Sequence, residues 1–470
     1  MCRTASMGTA LFPSRAYAEY AAGLQFSDLP SDVVEFCKLI LLDSIGTAAA
    51  ASGVISRSNK IVSYAGHALG AGESALWGYS DLVSPMAAAF ANGALAHALN
   101  YDVLGAGYAG LIPSAVLAAA DCANEPTSGR DVVTALAVGI ELGARIQDAV
   151  SHIAKTYDRI IDGQLQTYFS CAVAAAKVMR LPADLIDNAL GLALMQAAGS
   201  MQVTLDGDPE AKAYYGGFPN QAGLQSALLA RGELQAACNA FSGKAGLFPL
   251  FYDTQMADDA LLSGLADRYL LRRVRFKRWP CSAAFSELMT VAYDIKRMTR
   301  LRPDDIARIE IVTSPAMRVW FEPSSLRRAP QNAAAAGNSA PFTIATILAN
   351  GDFTLSDLTQ DGLMQPSVLQ IASRIEVRFH GDLNESSKLI VTTTQGVVIE
   401  RDIEASSHSK LPWLNAEGAR IKFKQCLDRA HDKSLIERAN EIADLIESLD
   451  ELADFRQLNR VLAGSVWETR

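Results

Sequence analysis

Basic charge is in short supply: 42 Lys and Arg stand against 51 Asp and Glu in 470 residues, a formal net charge of -9. No Lys/Arg-rich run or basic stripe is present to follow a phosphate backbone, which argues against a nucleic-acid partner. A local basic pocket for an acidic metabolite is still compatible with this balance. Cysteine is sparse, with seven residues (Cys2, Cys37, Cys122, Cys171, Cys238, Cys281 and Cys426). None is spaced as CxxC and the count is odd, so they read as reduced thiols in a reducing compartment, not as a disulfide framework. The six histidines form no HExxH or HxH pattern, so no protein-built metal site and no metal or organic cofactor is expected. No apolar run reaches the roughly 18 uninterrupted residues of a membrane helix, so no membrane span is expected. The N-terminus MCRTASMGTALFPSR has no apolar signal core, which points to the cytoplasm. Its two arginines and lack of an acid before Glu19 leave room for a short organellar targeting peptide.

What is present is globular. Half of the residues are hydrophobic and 20% are charged, and the length suffices for two or three domains around a large core. The first half reads as successive helices. Pro30 and the Ser31-Asp32 pair open one through Val33–Ser52, in which Val34, Cys37, Ile40, Leu41, Ile45 and Ala48 recur at helical spacing. Met86–Leu99, Ser114–Ala123, Asp131–Asp148 behind a Thr127–Arg130 turn, Ala172–Met179, Asp184–Ala198 and Gln221–Arg231 continue the pattern. Their alanines and glycines allow close helix packing.

The character changes near Leu270. Ala307–Thr313 and Ser373–His380 alternate as half-buried strands, and Lys388–Thr394 and Val397–Ile403 flank Gln395-Gly396 as a hairpin. Helices are expected at Ala283–Met298 and Pro341–Ala349, then charged amphipathic helix from Asn415 to Leu449. The expected fold is therefore mainly α. Residues 1–268 form a large helical domain to which 405–470 return, and 269–404 form a smaller α+β domain inserted before the C-terminal helices.

Five places carry a resemblance. Ala91–Ser114, ANGALAHALNYDVLGAGYAGLIPS, keeps the frame NG-x-x-x-HxxD-[FY]-DDT…HPS; Leu42–Gly46 matches LD-x-x-G; Gly139–Ile146 matches GxE-x-x-x-R; the alanine helix of the Tyr157–Lys177 segment fits; and Ala211–Gly217, AKAYYGG, follows K-x-x-H-x-G. Together they resemble the MmgE/PrpD family, which includes 2-methylcitrate dehydratases, cis-aconitate decarboxylases and iminodisuccinate epimerases. The resemblance implies a helical domain with an α+β lid over a cleft, a homodimer, and a cofactor-independent reaction on a small organic acid.

The frame survives with altered chemistry. Asn100 stands where the family has its first acid, Val103-Leu104 replace an Asp-Thr pair, and Ile112 replaces the histidine before Pro-Ser. Asp102 remains as a carboxylate. His97 remains too, and is read as a structural histidine. Ile161 or Asp162 falls where a further histidine belongs, and Asp162 could supply an acid or simply hold a turn. Lys212 matches the lysine that the resemblance assigns to the substrate acid, and Tyr215 takes the place of a histidine. Phe276–Phe285 resembles K-x-[YF]-P-C-x-x-x-H: Lys277, Pro280 and Cys281 match, with Ser282 where decarboxylase-like members have a histidine. Cys281 has no base beside it in the sequence and is read as structural. Phe342 falls where those members have a catalytic tyrosine.

The expected catalytic set is Lys212, Asp102, Tyr215 and Asn100, with Tyr101 as another proton carrier; the expected substrate-binding set is Lys277, Ser282, Ile112, Leu104, Phe342 and Asp162. With four proton-handling positions replaced, each commonly worth ~10²–10⁴ in rate, the expectation is a decarboxylation or dehydration of an acid more apolar than cis-aconitate or 2-methylcitrate. Epimerisation of a similar acid and a non-catalytic binding role are the alternatives. A phosphate loop at Gly105–Gly110 is a weak reading, lacking GK[ST] and a preceding strand.

Overall fold

The computed structural model describes residues 12–151, 159–254, 259–381, 387–403 and 413–464. The N-terminal peptide, the start of the Tyr157–Lys177 segment and the 404–405 boundary lie outside them. Helix dominates, with twenty-one α-helices among the described residues and only two small sheets. The fold is mainly α with a small α+β region, as the sequence patterns require.

The helix Ser31–Val54 is the spine of the helical part. Of its residues 40–52, all are buried, because alanine and glycine let other helices approach on several sides. Pro85–Ala98 packs on it from one direction and Ala416–Leu427 from another. At Gly53 a Cβ would stand 1.9 Å from the Arg429 carbonyl oxygen, so only glycine admits the C-terminal segment there. Lys422 seals that junction, 2.7 Å from Asp43 with both side chains buried.

A second buried pair holds the connection into the α+β region. Arg145 on the helix Gly129–Val150 meets Glu141 at 2.7 Å and donates to the carbonyls of Leu261, Ser263, Gly264 and Arg268. Glu141 in turn accepts the backbone N–H groups of Leu270 and Leu271. The GxE-x-x-x-R motif is thus a structural clamp on residues 261–271.

The main sheet has the order Ile375–Phe379, Ile306–Thr313, Ser387–Thr393, Val398–Ile403; the first pair is parallel and the others antiparallel. Leu389, Val391 and Thr393 point inward at every second residue, whereas the edge strand is exposed except at half-buried Ile399 and buried Ile403. The helix Ser286–Thr299 covers this sheet and packs on Ala340–Asn350. The four strands and the Gln395-Gly396 turn fall where alternation and turn chemistry place them.

Two expectations differ from the structure. The helix at Ala172–Met179 begins ten residues earlier, spanning Asp162–Val178, because its polar Gln164, Gln166 and Thr167 are buried by tertiary contacts that periodicity does not show. The stretch Asn415–Leu449 is not one helix but Ala416–Leu427, Ser434–Glu437 and Ala439–Glu447. The break is fixed by Asp432, whose N–H donates to Gly78 O, whose carboxylate accepts from Ser80, and which also caps Ser434. Cys37, Cys122, Cys171, Cys281 and Cys426 are free thiols. No single helix among the described residues is long and apolar enough to cross a membrane.

Candidate active site

The helix Pro85–Ala98 begins at the Ser84 cap and carries His97 on its last turn. Asn100 then takes a left-handed conformation, φ 52°, which asparagine tolerates better than most residues. This reversal brings Asp102 back under the helix end, so that its Oδ1 lies 2.9 Å from His97 Nδ1. The other imidazole nitrogen, Nε2, is 2.5 Å from the Tyr215 hydroxyl, which is 3.1 Å from the Tyr108 hydroxyl. Tyr108 is held against Asp162-Gly163: a Cβ on Gly163 would stand 2.7 Å from its ring. A carboxylate, an imidazole and two phenols therefore stand in sequence inside the protein.

Lys212 lies on the short helix Glu210–Ala213, in the same turn of chain as Tyr215. Its ammonium donates to Thr204 Oγ1 at 2.7 Å, sits 3.6 Å from Asp208 Oδ1, and is 4.8 Å from the centre of the Tyr215 ring. Asp208 is shared with Arg327, 2.5 Å away, and Arg327 also donates to the carbonyls of Thr204 and Asn338. Asn338 Oδ1 accepts from Asn100 Nδ2 at 3.1 Å, and Asn100 accepts Lys277 Nζ on both its backbone and side-chain oxygens at 2.9 Å. The circuit joins residues from 97 to 338 and closes electrostatically, because the charge of Lys277 reaches Asp102.

Burial sets the proton affinities. It alone would raise Asp102, but His97 and then Lys277 outweigh it and hold this carboxyl below its ordinary range. Burial pushes the Tyr215 phenol well above its usual value, with Tyr108 adding to the effect. The ammonium groups of Lys212 and Lys277 are both pulled down by burial, opposed mainly by Asp208 and Asp102 respectively. The Cys281 thiol is pushed up to about 12 by burial; it stays protonated and packs 3.1 Å from the Met289 sulfur, as a structural cysteine would.

The MmgE/PrpD N-terminal domain matches residues 15–259, and the MmgE/PrpD C-terminal domain matches residues 279–448. The chain belongs to the MmgE/PrpD family. Among curated relatives, a cis-aconitate decarboxylase of Aspergillus terreus is 25% identical over 472 residues, with 94% of each chain covered. A cis-aconitate decarboxylase-like protein of Aspergillus oryzae is 23% identical over 470 residues, covering 94% of this chain and 95% of the relative.

Within this MmgE/PrpD chain, Lys212, Tyr215, Asp102, Asn100 and Lys277 fall into the one polar circuit. The other positions lie around it. Ser282 caps the turn Ala283–Phe285, and its N–H donates to Gly337 O next to Asn338. Asp162 opens the helix Asp162–Val178 beside the Tyr108 ring. Leu104 is half-buried and pairs its backbone with Arg275. Ile112 and Phe342 are fully buried in the hydrophobic core, Ile112 near Gly139 and Phe342 edge-on to Phe353. Tyr101 donates its hydroxyl to Arg278 O and faces Lys422 with its ring.

The circuit also holds His97, read from the sequence as structural, and Tyr108, Thr204, Asp208, Arg327 and Asn338, which no motif singles out. The five-residue spacing of His97 and Asp102 was the one local signal available. A shallow cleft lined by residues that include Glu210, Ala213, Tyr214 and Asn332 borders the Lys212 turn. None of the circuit's side chains lines it.

Proposed function

We infer that this chain has a lyase-type role on an organic acid, a reading supported by family membership and the decarboxylase relatives. We propose that the buried circuit around Lys212 is the active site of a lyase that needs no cofactor and acts on a small organic acid. One observation carries this reading: a buried ammonium lies directly over a tyrosine whose hydroxyl meets a histidine. Such an arrangement offers a carboxylate anchor beside a proton carrier.

In this reading Lys212 holds the substrate carboxylate, exchanging part of its contact with Thr204 and Asp208, and Lys277 supplies a second positive charge. Tyr215 handles the proton on the neighbouring carbon. Loss of CO₂, loss of water and epimerisation all pass through charge on that carbon, so the same groups serve each. Ile112 and Phe342 are engaged in core packing, so the proposed preference for an apolar acid rests on Leu104 and the tyrosine rings. The proposed homodimer and the lid role of residues 269–404 follow the family resemblance. Because Lys212, Tyr215 and Asp102 are all buried, substrate enters when the elements covering them separate.

The test is proton NMR of the purified chain in D₂O with cis-aconitate, 2-methylcitrate, citrate, iminodisuccinate and alkyl-substituted dicarboxylates. Product formation or deuterium uptake is expected with at least one acid, and is expected to disappear in Lys212→Ala. A folded, silent wild-type protein across the panel would count against the enzyme reading and favour a binding role.

A further inference from the structure

Three buried carboxylates in this protein have a cationic partner. Asp43 has Lys422, Asp208 has Arg327, and Glu141 has Arg145 and two backbone N–H groups. Asp102 is different. It is completely buried, and its close partner is an imidazole, His97 Nδ1, at 2.9 Å. A buried charge left to one imidazole is costly unless the imidazole can itself become positive. On its far side that imidazole meets only a phenol, Tyr215, and that phenol meets a second, Tyr108. Here both nitrogens face groups that exchange protons.

Resting on the enzyme reading above, we propose that Asp102, His97 and Tyr215 form a proton relay, in which Tyr215 is the catalytic residue and His97 and Asp102 are positioning residues that set its basicity. In the resting relay the Nδ1 proton faces Asp102, and Tyr215 donates its hydroxyl proton to Nε2. In the forward step the Tyr215 oxygen takes the proton from the carbon beside the substrate carboxylate while its own proton moves to His97 Nε2. The C–H electron pair stays on the substrate as an enediolate next to Lys212. The phenol ends neutral, the imidazole ends as a cation, and Asp102 balances that cation. Reversal returns a proton to the same carbon from the Tyr215 hydroxyl, with His97 Nε2 giving its proton back to the phenol oxygen. The logic is that of a nucleophile–histidine–aspartate triad with a phenol in the first place.

Two readouts test this, both on the full-length chain. In ¹⁵N-histidine NMR of the resting protein, His97 is expected to carry its proton on Nδ1 and to have a bare Nε2 whose shift moves in Tyr215→Phe. A resting proton on Nε2, or an Nε2 shift indifferent to Tyr215→Phe, overturns the relay whether or not the protein is an enzyme. With cis-aconitate and 2-methylcitrate as probes, His97→Gln keeps hydrogen bonding but cannot pass a proton. Its kcat is expected to fall ~10²–10⁴-fold with KM little changed, and Tyr215→Phe, which removes one oxygen, to fall similarly. A folded His97→Gln with wild-type kcat, on an acid whose turnover Lys212→Ala abolishes, overturns the relay and leaves the enzyme reading standing. If neither acid turns over, the enzyme reading fails for these acids and the protonation of His97 decides the relay.

Discussion

Lys277 is a buried ammonium whose hydrogen-bond acceptors are both neutral oxygens of Asn100. An aspartate at that position would give it an internal counter-ion; the asparagine keeps its charge available to a ligand carboxylate. Asn100→Asp is therefore expected to raise KM for the acid substrate by roughly 10–100-fold, the weight of one charge-assisted hydrogen bond, measured in steady-state kinetics against wild type. An unchanged KM would remove Lys277 from the binding set. At this scale about half of the site was legible. Lys212, Tyr215, Asp102, Asn100 and Lys277 stand in recognisable motifs. His97 was set aside because one sequence shows a spacing but not the left-handed turn at Asn100 that folds Asp102 back beneath it. Asp208 and Arg327, 119 residues apart, have no local signal at all.

At the level of elements, buried charge explains both what holds and what titrates. The Glu141–Arg145 spacing promises only ~0.2–0.5 kcal/mol on an exposed helix. Inside the protein the pair anchors residues 261–271, so Arg145→Leu, which strands Glu141, is expected to cost about 3–5 kcal/mol, read as a lower urea midpoint. Asp121 behaves differently. It accepts from Ser74 at 2.6 Å and from Asn459 on the last helix, Arg456–Ala463, at 3.1 Å, and burial raises its pKa to about 7. A folded-state value above the unfolded one favours folding fully below about pH 4, and that contribution is lost as pH rises through 7. A shift of about 3 units corresponds to up to about 4 kcal/mol. Wild type is expected to lose more Tm than Asp121→Asn between pH 5 and pH 8; parallel curves for the two proteins would refute the assignment. Helix and strand positions were largely readable because apolar period and turn residues agree. The break at Asp432 was not, because its cause is contact with Gly78 and Ser80, more than 350 residues earlier in the chain.

Across the whole molecule, the C-terminal helices are part of the same packed unit as the helix Ser31–Val54. Lys422 bonds Asp43 and the Tyr101 carbonyl, next to Asp102, so it ties the end of the chain to the loop that carries the relay. Lys422→Met leaves Asp43 buried without a cation and is expected to destabilise by about 3–5 kcal/mol, whereas a Lys422→Met/Asp43→Leu double variant recovers much of that loss. Equal stability of single and double variants in chemical denaturation would contradict this. The helical architecture was readable from composition and period, and the family from five motifs. The convergence of residues 97–108, 204–215, 277 and 327–338 on one buried circuit was not, since only the folded chain brings them together.

The most direct test of the account is the rate of the best acid substrate in wild type against Lys212→Met, which removes the charge while keeping a long buried side chain. The account predicts a folded variant whose kcat/KM is lower by about 100-fold or more, in line with the loss of a charge-assisted contact and of orientation at the reacting carbon. A folded Lys212→Met protein that turns over the acid at the wild-type rate would contradict it.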